Sequence, residues 1–244
     1  MCTIGAVIQN GRTYLLKNFD YAPTPTGWAF FEGPGIPHFA LVDHDQQGVN
    51  SGFNASGLAL QISRSKCLAD VTPEREESRT VINGAVLADC AAVAEAVAKI
   101  EAYARQYPQM FGGNVMLGDC EQIAVTEYFG GDVRTEFATD GFLARANHSV
   151  LGVVDNETEG SVRRYERMVG FLQELYAWLP TLDSEDVVAR CRAVLRQEPI
   201  LNENTRSSFV VDVAEGRVDY LVGAMGGSGK WRTFWIEDRQ VVNQ

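Results

Sequence analysis

The second residue is a cysteine, and its chemistry depends on what precedes it. Loss of Met1 would leave Cys2 with a thiol and a free α-amine on one residue, a nucleophile beside a candidate base. Reference pKa values are about 8.5 for a cysteine thiol and roughly 7.7 to 8.0 for an α-amine, so a modest environmental shift makes the amine a proton acceptor near neutral pH. No histidine is then required. Other residues able to join such a centre are scattered: Lys17 and Asp20 follow closely, Asn147 and His148 lie mid-chain, and Arg206 comes late. Alone, Cys2 also fits a small buried hydrophobe, Asp20 a strand-end cap, Asn147 a turn-former and Arg206 a surface ion pair.

The segment that must hold Cys2 in place reads as a β-hairpin. Thr3 to Gln9 and Arg12 to Lys17 are β-rich runs around Asn10-Gly11, a pair suited to a two-residue type I′ turn. In that register Gln9 faces Arg12, Ile4 faces Lys17 and Cys2 faces Phe19, and side chains on one face recur every second residue. Cys2 and Lys17 therefore share a face, and a cation one diagonal spacing from the sulfur favours thiolate. Asp20 falls on the opposite face and reaches the terminus only if the strand bulges or bends after Asn18.

Further along, the stretch from Pro23 to Pro37 is broken by prolines and glycines and carries the cluster Trp28, Phe30, Phe31, which suits either a pocket wall or a loop plugged into the core. His38–Asp43 and Gly57–Ser63 read as strands joined by a turn-rich piece from Asn50 to Gly57. Two helices are expected within residues 67–108, the second with Asp89 as N-cap and Pro108 as its stop. Alternation from Gly113 to Ser149 predicts a meander ending at Asn147. Amphipathic helices follow over 161–179 and 184–197, then strands at 207–213, 217–222 and 231–237. Strand runs separated by helix pairs predict an α+β chain of antiparallel sheets covered by helices, with no linker dividing residues 1–244.

Cys2-Thr3, the hairpin and Lys17-Asn18-Phe19-Asp20 together resemble the amino terminus of the N-terminal nucleophile (Ntn) hydrolases related to penicillin V acylase, choloylglycine hydrolase, isopenicillin N acyltransferase and acid ceramidase. Gly52-Phe53-Asn54-Ala55-Ser56-Gly57-Leu58-Ala59, Ala146-Asn147-His148-Ser149 and Thr205-Arg206-Ser207-Ser208-Phe209 continue the likeness in order. The resemblance implies a four-layer αββα sandwich and an amidase or acyltransferase working through a thioester on Cys2. It implies that Asp20 orients the nucleophile, Asn147 donates to the oxyanion and Arg206 settles charge nearby. It also implies that Asn54 and Arg64 flank the strand that in relatives helps form the oxyanion hole and pocket. Lys17 stands where many relatives have arginine, so a bidentate grip on a carboxylate is lost. His148 is expected to be structural. A class II glutamine amidotransferase and a noncatalytic binding protein on this fold are the competing readings.

Composition excludes several classes. A net charge of -11 with pI near 4.8 opposes nonspecific nucleic-acid binding. No apolar run approaches the ~18 residues of a membrane span, and no secretory leader precedes Cys2, so a cytoplasmic chain that needs only to lose Met1 is expected. Its five cysteines form no CxxC and suit reduced thiols, which makes the three Asn-x-Ser/Thr sequons chance matches. Gly226-Gly-Ser-Gly-Lys230 lacks the spacing of a phosphate loop, and His38, Asp43, His44 and Asp45 read as exposed polar residues, not metal ligands, so neither cofactor nor metal is expected. The expected partner is a small acyl-amide, or a carrier-bound acyl donor for the transferase alternative, and self-association into a homo-oligomer stays open.

Overall fold

The computed structural model describes residues 2–21, 26–43, 48–65, 73–222, 229–237 and 240–243. In chain order they form β1 (Cys2–Gln9), β2 (Arg12–Asp20), β3 (Thr26–Phe31), β4 (His38–Asp43), β5 (Gly48–Asn54), β6 (Ala59–Arg64), α1 (Pro73–Asp89), α2 (Val93–Gln106), β7 (Gly113–Gly118), β8 (Ile123–Phe129), β9 (Asp132–Ala138), β10 (Gly141–Arg145), α3 (Glu159–Trp178), α4 (Ser184–Val194), β11 (Thr205–Asp212), β12 (Arg217–Val222), β13 (Arg232–Trp235) and β14 (Gln240–Asn243). Two antiparallel seven-stranded sheets result, one ordered β10-β1-β2-β11-β12-β13-β14 and the other β3-β4-β5-β6-β7-β8-β9.

The sheets face each other between helix pairs. Ile4, Ile8, Leu15 and Phe209 of the first sheet meet Phe39, Phe53, Met116 and Val125 of the second across an apolar seam. The outer face of the second sheet is covered by α1 and α2 through Val86, Leu87, Val93 and Ile100. The outer face of the first is covered by α3 and α4 through Met168, Leu172, Val188 and Val194. This is the expected four-layer arrangement.

The hairpin β1–β2 has the expected register, with Cys2 opposite Phe19, Ile4 opposite Lys17 and Gln9 opposite Arg12. Asn10 (φ 53°) and Gly11 (φ 75°) both take positive φ, as the type I′ turn demands. One glycine fixes the distance to the helix layer: a Cβ on Gly5 would stand 2.8 Å from Met168 Sδ, so its absence lets α3 lie directly on β1.

Three segments depart from the sequence expectations. Thr26–Phe31, read as part of a broken loop, is an edge strand paired with β4. Pro23 and Pro25 lie outside the described residues, as do Cys67, His44 and Asp45. The supposed turn-rich joint is β5, a central strand; a Cβ on Gly52 would approach Leu87 Cδ1 to 2.6 Å, so this glycine admits helix α1 and does not make a turn. The meander stops at β9, and β10 crosses to the other sheet to pair with β1. The cap expected of Asp89 on α2 is supplied instead from outside the helix, where Asp119 Oδ2 accepts from Val93 N at 2.8 Å. His38 is buried, stacked on Phe31 and bonded to the Ile36 carbonyl, not an exposed polar residue. No described helix is long and apolar enough to cross a membrane.

Candidate active site

The crossing of β10 brings the middle of the chain to the amino terminus. Ile4 pairs with Arg145, so the antiparallel register carried two residues on sets Asn147 opposite Cys2. There the Cys2 nitrogen donates to Asn147 Oδ1 at 2.8 Å, linking positions 145 residues apart. The same oxygen accepts from Arg164 Nη2 at 2.9 Å, while Asn147 Nδ2 donates to the Arg64 carbonyl at 2.7 Å. Two donors on one oxygen fix the orientation of the amide. Cys2 is 7 % exposed and packs with Phe19 and Leu41, against which Tyr21 and Trp28 also lie, so its side chain faces the seam between the sheets.

Asp20 lies on the other face of β2, as the ideal register requires. The irregularity occurs in the neighbouring strand, between Thr205 and Ser207 of β11, where Thr205 pairs with Asp20. Asp20 is fully buried and accepts from the Thr205 hydroxyl at 2.7 Å and from Asn202 Nδ2 at 2.6 Å. Burial raises its carboxyl above the usual range, against the pull of those two hydrogen bonds and of the Arg164 charge. Arg164 is 4 % exposed; burial lowers its pKa, while Asp20 and Cys2 act in the opposite direction. A chain of polar contacts and charge therefore runs from Asp20 through Arg164 and Asn147 to the Cys2 nitrogen.

Arg164 escaped the sequence reading, although a signal was present. It stands four residues before Met168 on the buried stripe of α3, which continues through Leu172 and Leu175, and an arginine on such a stripe needs a buried partner. Arg164→Met is expected to lower kcat/KM by roughly 10- to 100-fold, the worth of one charge-assisted hydrogen bond. With the Cys2 nitrogen as a free α-amine base, loss of the cation would relieve it of a like charge and raise its pKa, and the acidic limb of the rate profile should then move to higher pH. Arg164→Lys should restore the limb. A profile that does not move would contradict a role in setting that base.

The loop carrying Asn147 is anchored on all sides. Asn147 N donates to Ser161 Oγ at 2.8 Å, and His148 Nδ1 meets the same hydroxyl at 2.8 Å. Asn114 Nδ2 reaches the carbonyls of Ala146 and His148, and Ser63 Oγ donates to that of Ala146. Glu127, fully buried, pairs with Arg145 Nε at 2.6 Å and accepts from Ser149 Oγ, Val150 N and Leu151 N. Burial lowers the pKa of His148, so it suits a neutral anchor, as expected of it.

The other residues singled out by sequence divide. Lys17 shares the Cys2 face but sends its ammonium across the seam to Asn50 Oδ1 (2.7 Å) and Ser51 Oγ (2.8 Å), 5.4 Å from the Phe19 ring centre. Arg206, at the β11 irregularity, directs its guanidinium to the carbonyls of Tyr21 (3.1 Å) and Glu203 (3.3 Å), whereas the arginine bonded to Asn147 is Arg164. The Nδ2 of Asn54 binds the carbonyls of Leu87 and Cys90 and its Oδ1 accepts from Ser56 N and Leu58 N, a clasp between α1 and the β5–β6 turn that leaves no group for a substrate. Arg64 contributes its carbonyl to Asn147, while its guanidinium lies 4.3 Å from the centre of the Phe111 ring. Trp28 packs against the cluster of Cys2, Phe19 and Leu41 and lines a cavity of about 560 Å³. Phe30 packs into the seam against Phe234, the core alternative, and Phe31 sits at the surface on His38. No described cluster of three or more His, Cys, Asp or Glu side chains is placed to hold a metal.

Facing antiparallel sheets between helix pairs, with a cysteine leading the first strand, define an Ntn-hydrolase sandwich. Residues 7–222 match the model of the acyl-coenzyme A:6-aminopenicillanic acid acyl-transferase family, and the chain belongs to that family. Among solved structures, penicillin V acylase from Agrobacterium tumefaciens is similar at a TM-score of 0.65 and 15 % identity, covering 94 % of this chain and 85 % of that one. The N-acylethanolamine-hydrolyzing acid amidase ortholog of Caenorhabditis elegans gives 0.62 and 15 %, with 87 % and 93 % covered. A mutant of the conjugated bile acid hydrolase of Clostridium perfringens gives 0.61 and 12 %, with 100 % and 96 % covered. No curated protein sequence matches the chain.

Proposed function

We propose that this chain, once Met1 is removed, is an N-terminal cysteine enzyme that cleaves a small acyl-amide through a thioester on Cys2. The observation that carries the reading is the hydrogen bond from the Cys2 nitrogen to Asn147 Oδ1. A side-chain carbonyl that orients this nitrogen aims its lone pair only if the nitrogen is an amine, since a peptide nitrogen has no basic pair to aim. The α-amine takes the thiol proton, and the sulfur attacks the amide carbonyl. Asn147 Nδ2 keeps one hydrogen for Arg64 and offers the second to the oxyanion beside a backbone N–H. Collapse of the tetrahedral intermediate breaks the C–N bond, and the α-ammonium returns its proton to the departing amine. Water attack on the thioester then releases the acid.

Acyl transfer is the second reading, favoured by the family match: an amine in place of water would yield a new amide from the same thioester. The amide-cleaving activities named for penicillin V acylase, the acid amidase and the bile acid hydrolase support C–N bond chemistry on this fold. Turnover of simple acyl-anilides by wild type and by Cys2→Ala tests the proposal, and adding a primary amine divides the product between acid and transferred amide.

A further inference from the structure

We infer that the cavity beside Trp28 holds an anionic group of the substrate, a carboxylate or a phosphate, at a distance from the bond that is cleaved. The inference rests on the proposed function, because it takes Cys2 as the reacting end. Gly27, Trp28, Tyr220, Lys230 and Arg232 line the cavity. Trp28 links the cavity to the reacting end: it packs against the cluster that Cys2 forms with Phe19 and Leu41, and its ring lies 5.1 Å from Phe209 and 5.3 Å from Tyr220.

Sheet register aligns these residues. Phe209, Tyr220 and Arg232 pair successively across β11, β12 and β13, so they share the face that bears Cys2 and Phe19. From β1 to β13 the path crosses four strand spacings, roughly 19 Å at about 4.8 Å each, and the ligand that fills it is elongated. Among the described lining residues the polar groups are a phenol, an ammonium and a guanidinium, and none is a carboxylate. The Trp28 indole N–H is buried without an acceptor among the described residues. In a chain of net charge -11, two cations on one cavity repel each other, and an anion between them relieves that repulsion. The second cavity, about 480 Å³ beside Arg164, differs: it mixes Arg163 and Arg164 with Glu198 and Glu203 and favours neither charge.

The probes are the monoanilide of hexadecanedioic acid, whose extended chain is long enough to cross four strand spacings between amide and carboxylate, its neutral methyl ester, and an anilide of the same length ending in a phosphate monoester. Each is titrated by calorimetry into the Cys2→Ala protein, so that affinity is read without turnover. One anionic probe is expected to bind at least about tenfold more tightly than the ester at low ionic strength, with the margin shrinking as salt is added. The tighter anion identifies carboxylate or phosphate as the recognised group. In a folded K230Q/R232Q version of the same protein, confirmed by its melting curve, the margin should fall below about threefold. Equal affinity for acid and ester, an ester preference, no measurable binding of either anion, or a margin that survives the double substitution would each overturn the inference. Failure of wild type to cleave any of the three anilides would overturn the proposed function instead.

Discussion

Cys2→Ala protein is expected to fold and to turn over acyl-anilides at least about 10⁴-fold more slowly than wild type, the scale seen when a nucleophile that works as a unit with its base is removed. The substitution deletes a single heavy atom beside Phe19 and Leu41, so the cost in stability should be on the order of 1 kcal/mol, and a melting curve separates lost chemistry from lost fold. A companion variant sharpens the result. One residue inserted between Met1 and Cys2, chosen to resist removal, leaves the thiol in place and turns the α-amine into a peptide nitrogen. That nitrogen still donates an N–H to Asn147 Oδ1, so the local fold is preserved while the base is gone. The inserted protein should be as inactive as Cys2→Ala. Activity retained in it would make Cys2 an ordinary internal nucleophile with its base elsewhere.

Asn147→Ala is expected to lower kcat by about 10²- to 10³-fold, the range for loss of an oxyanion donor, with a smaller change in KM. Two effects add. The Cys2 nitrogen loses the acceptor that orients it, and the oxyanion loses an N–H. Asn147→Asp separates them: the acceptor for Cys2 N and Arg164 survives, whereas the N–H pair is replaced by a charge facing the Arg64 carbonyl and the developing oxyanion. Its kcat should fall at least as far as that of Asn147→Ala. If Asn147→Asp kept wild-type kcat, the oxyanion role would be excluded and only anchoring would remain. Steady-state kinetics on one anilide, with melting curves for both variants, decides.

Local interactions made some of this legible and long-range ones hid the rest. The β1–β2 register follows from Asn10-Gly11 and a period of two, and both operate within a few residues, so pairing down to Cys2 opposite Phe19 could be read directly. Sheet membership could not. The alternation of β10 resembles that of β8 and β9, yet β10 leaves their sheet, and that crossing brings Asn147 to Cys2. Gly52 signalled a turn because a glycine required by an approaching helix looks the same in sequence as one required by a positive φ. The two asparagines show the same limit: Asn54 and Asn147 sit in similar surroundings along the chain, but one clasps α1 and the other holds the amino terminus. With Arg206 the motif supplied residue type without direction. At the irregularity in β11 it donates to the Tyr21 carbonyl, while α3, pressed onto β1 through Gly5, brings another cation, Arg164, to Asn147.

The most direct measurement is intact-mass and peptide-mapping mass spectrometry of the active protein, quenched in acid during turnover of an acyl-anilide. The predicted result is a chain that lacks Met1 and carries the acyl group on the peptide that begins at Cys2. An active chain that retains Met1, or an acyl group found only on Cys90, Cys120 or Cys191, would contradict the proposal.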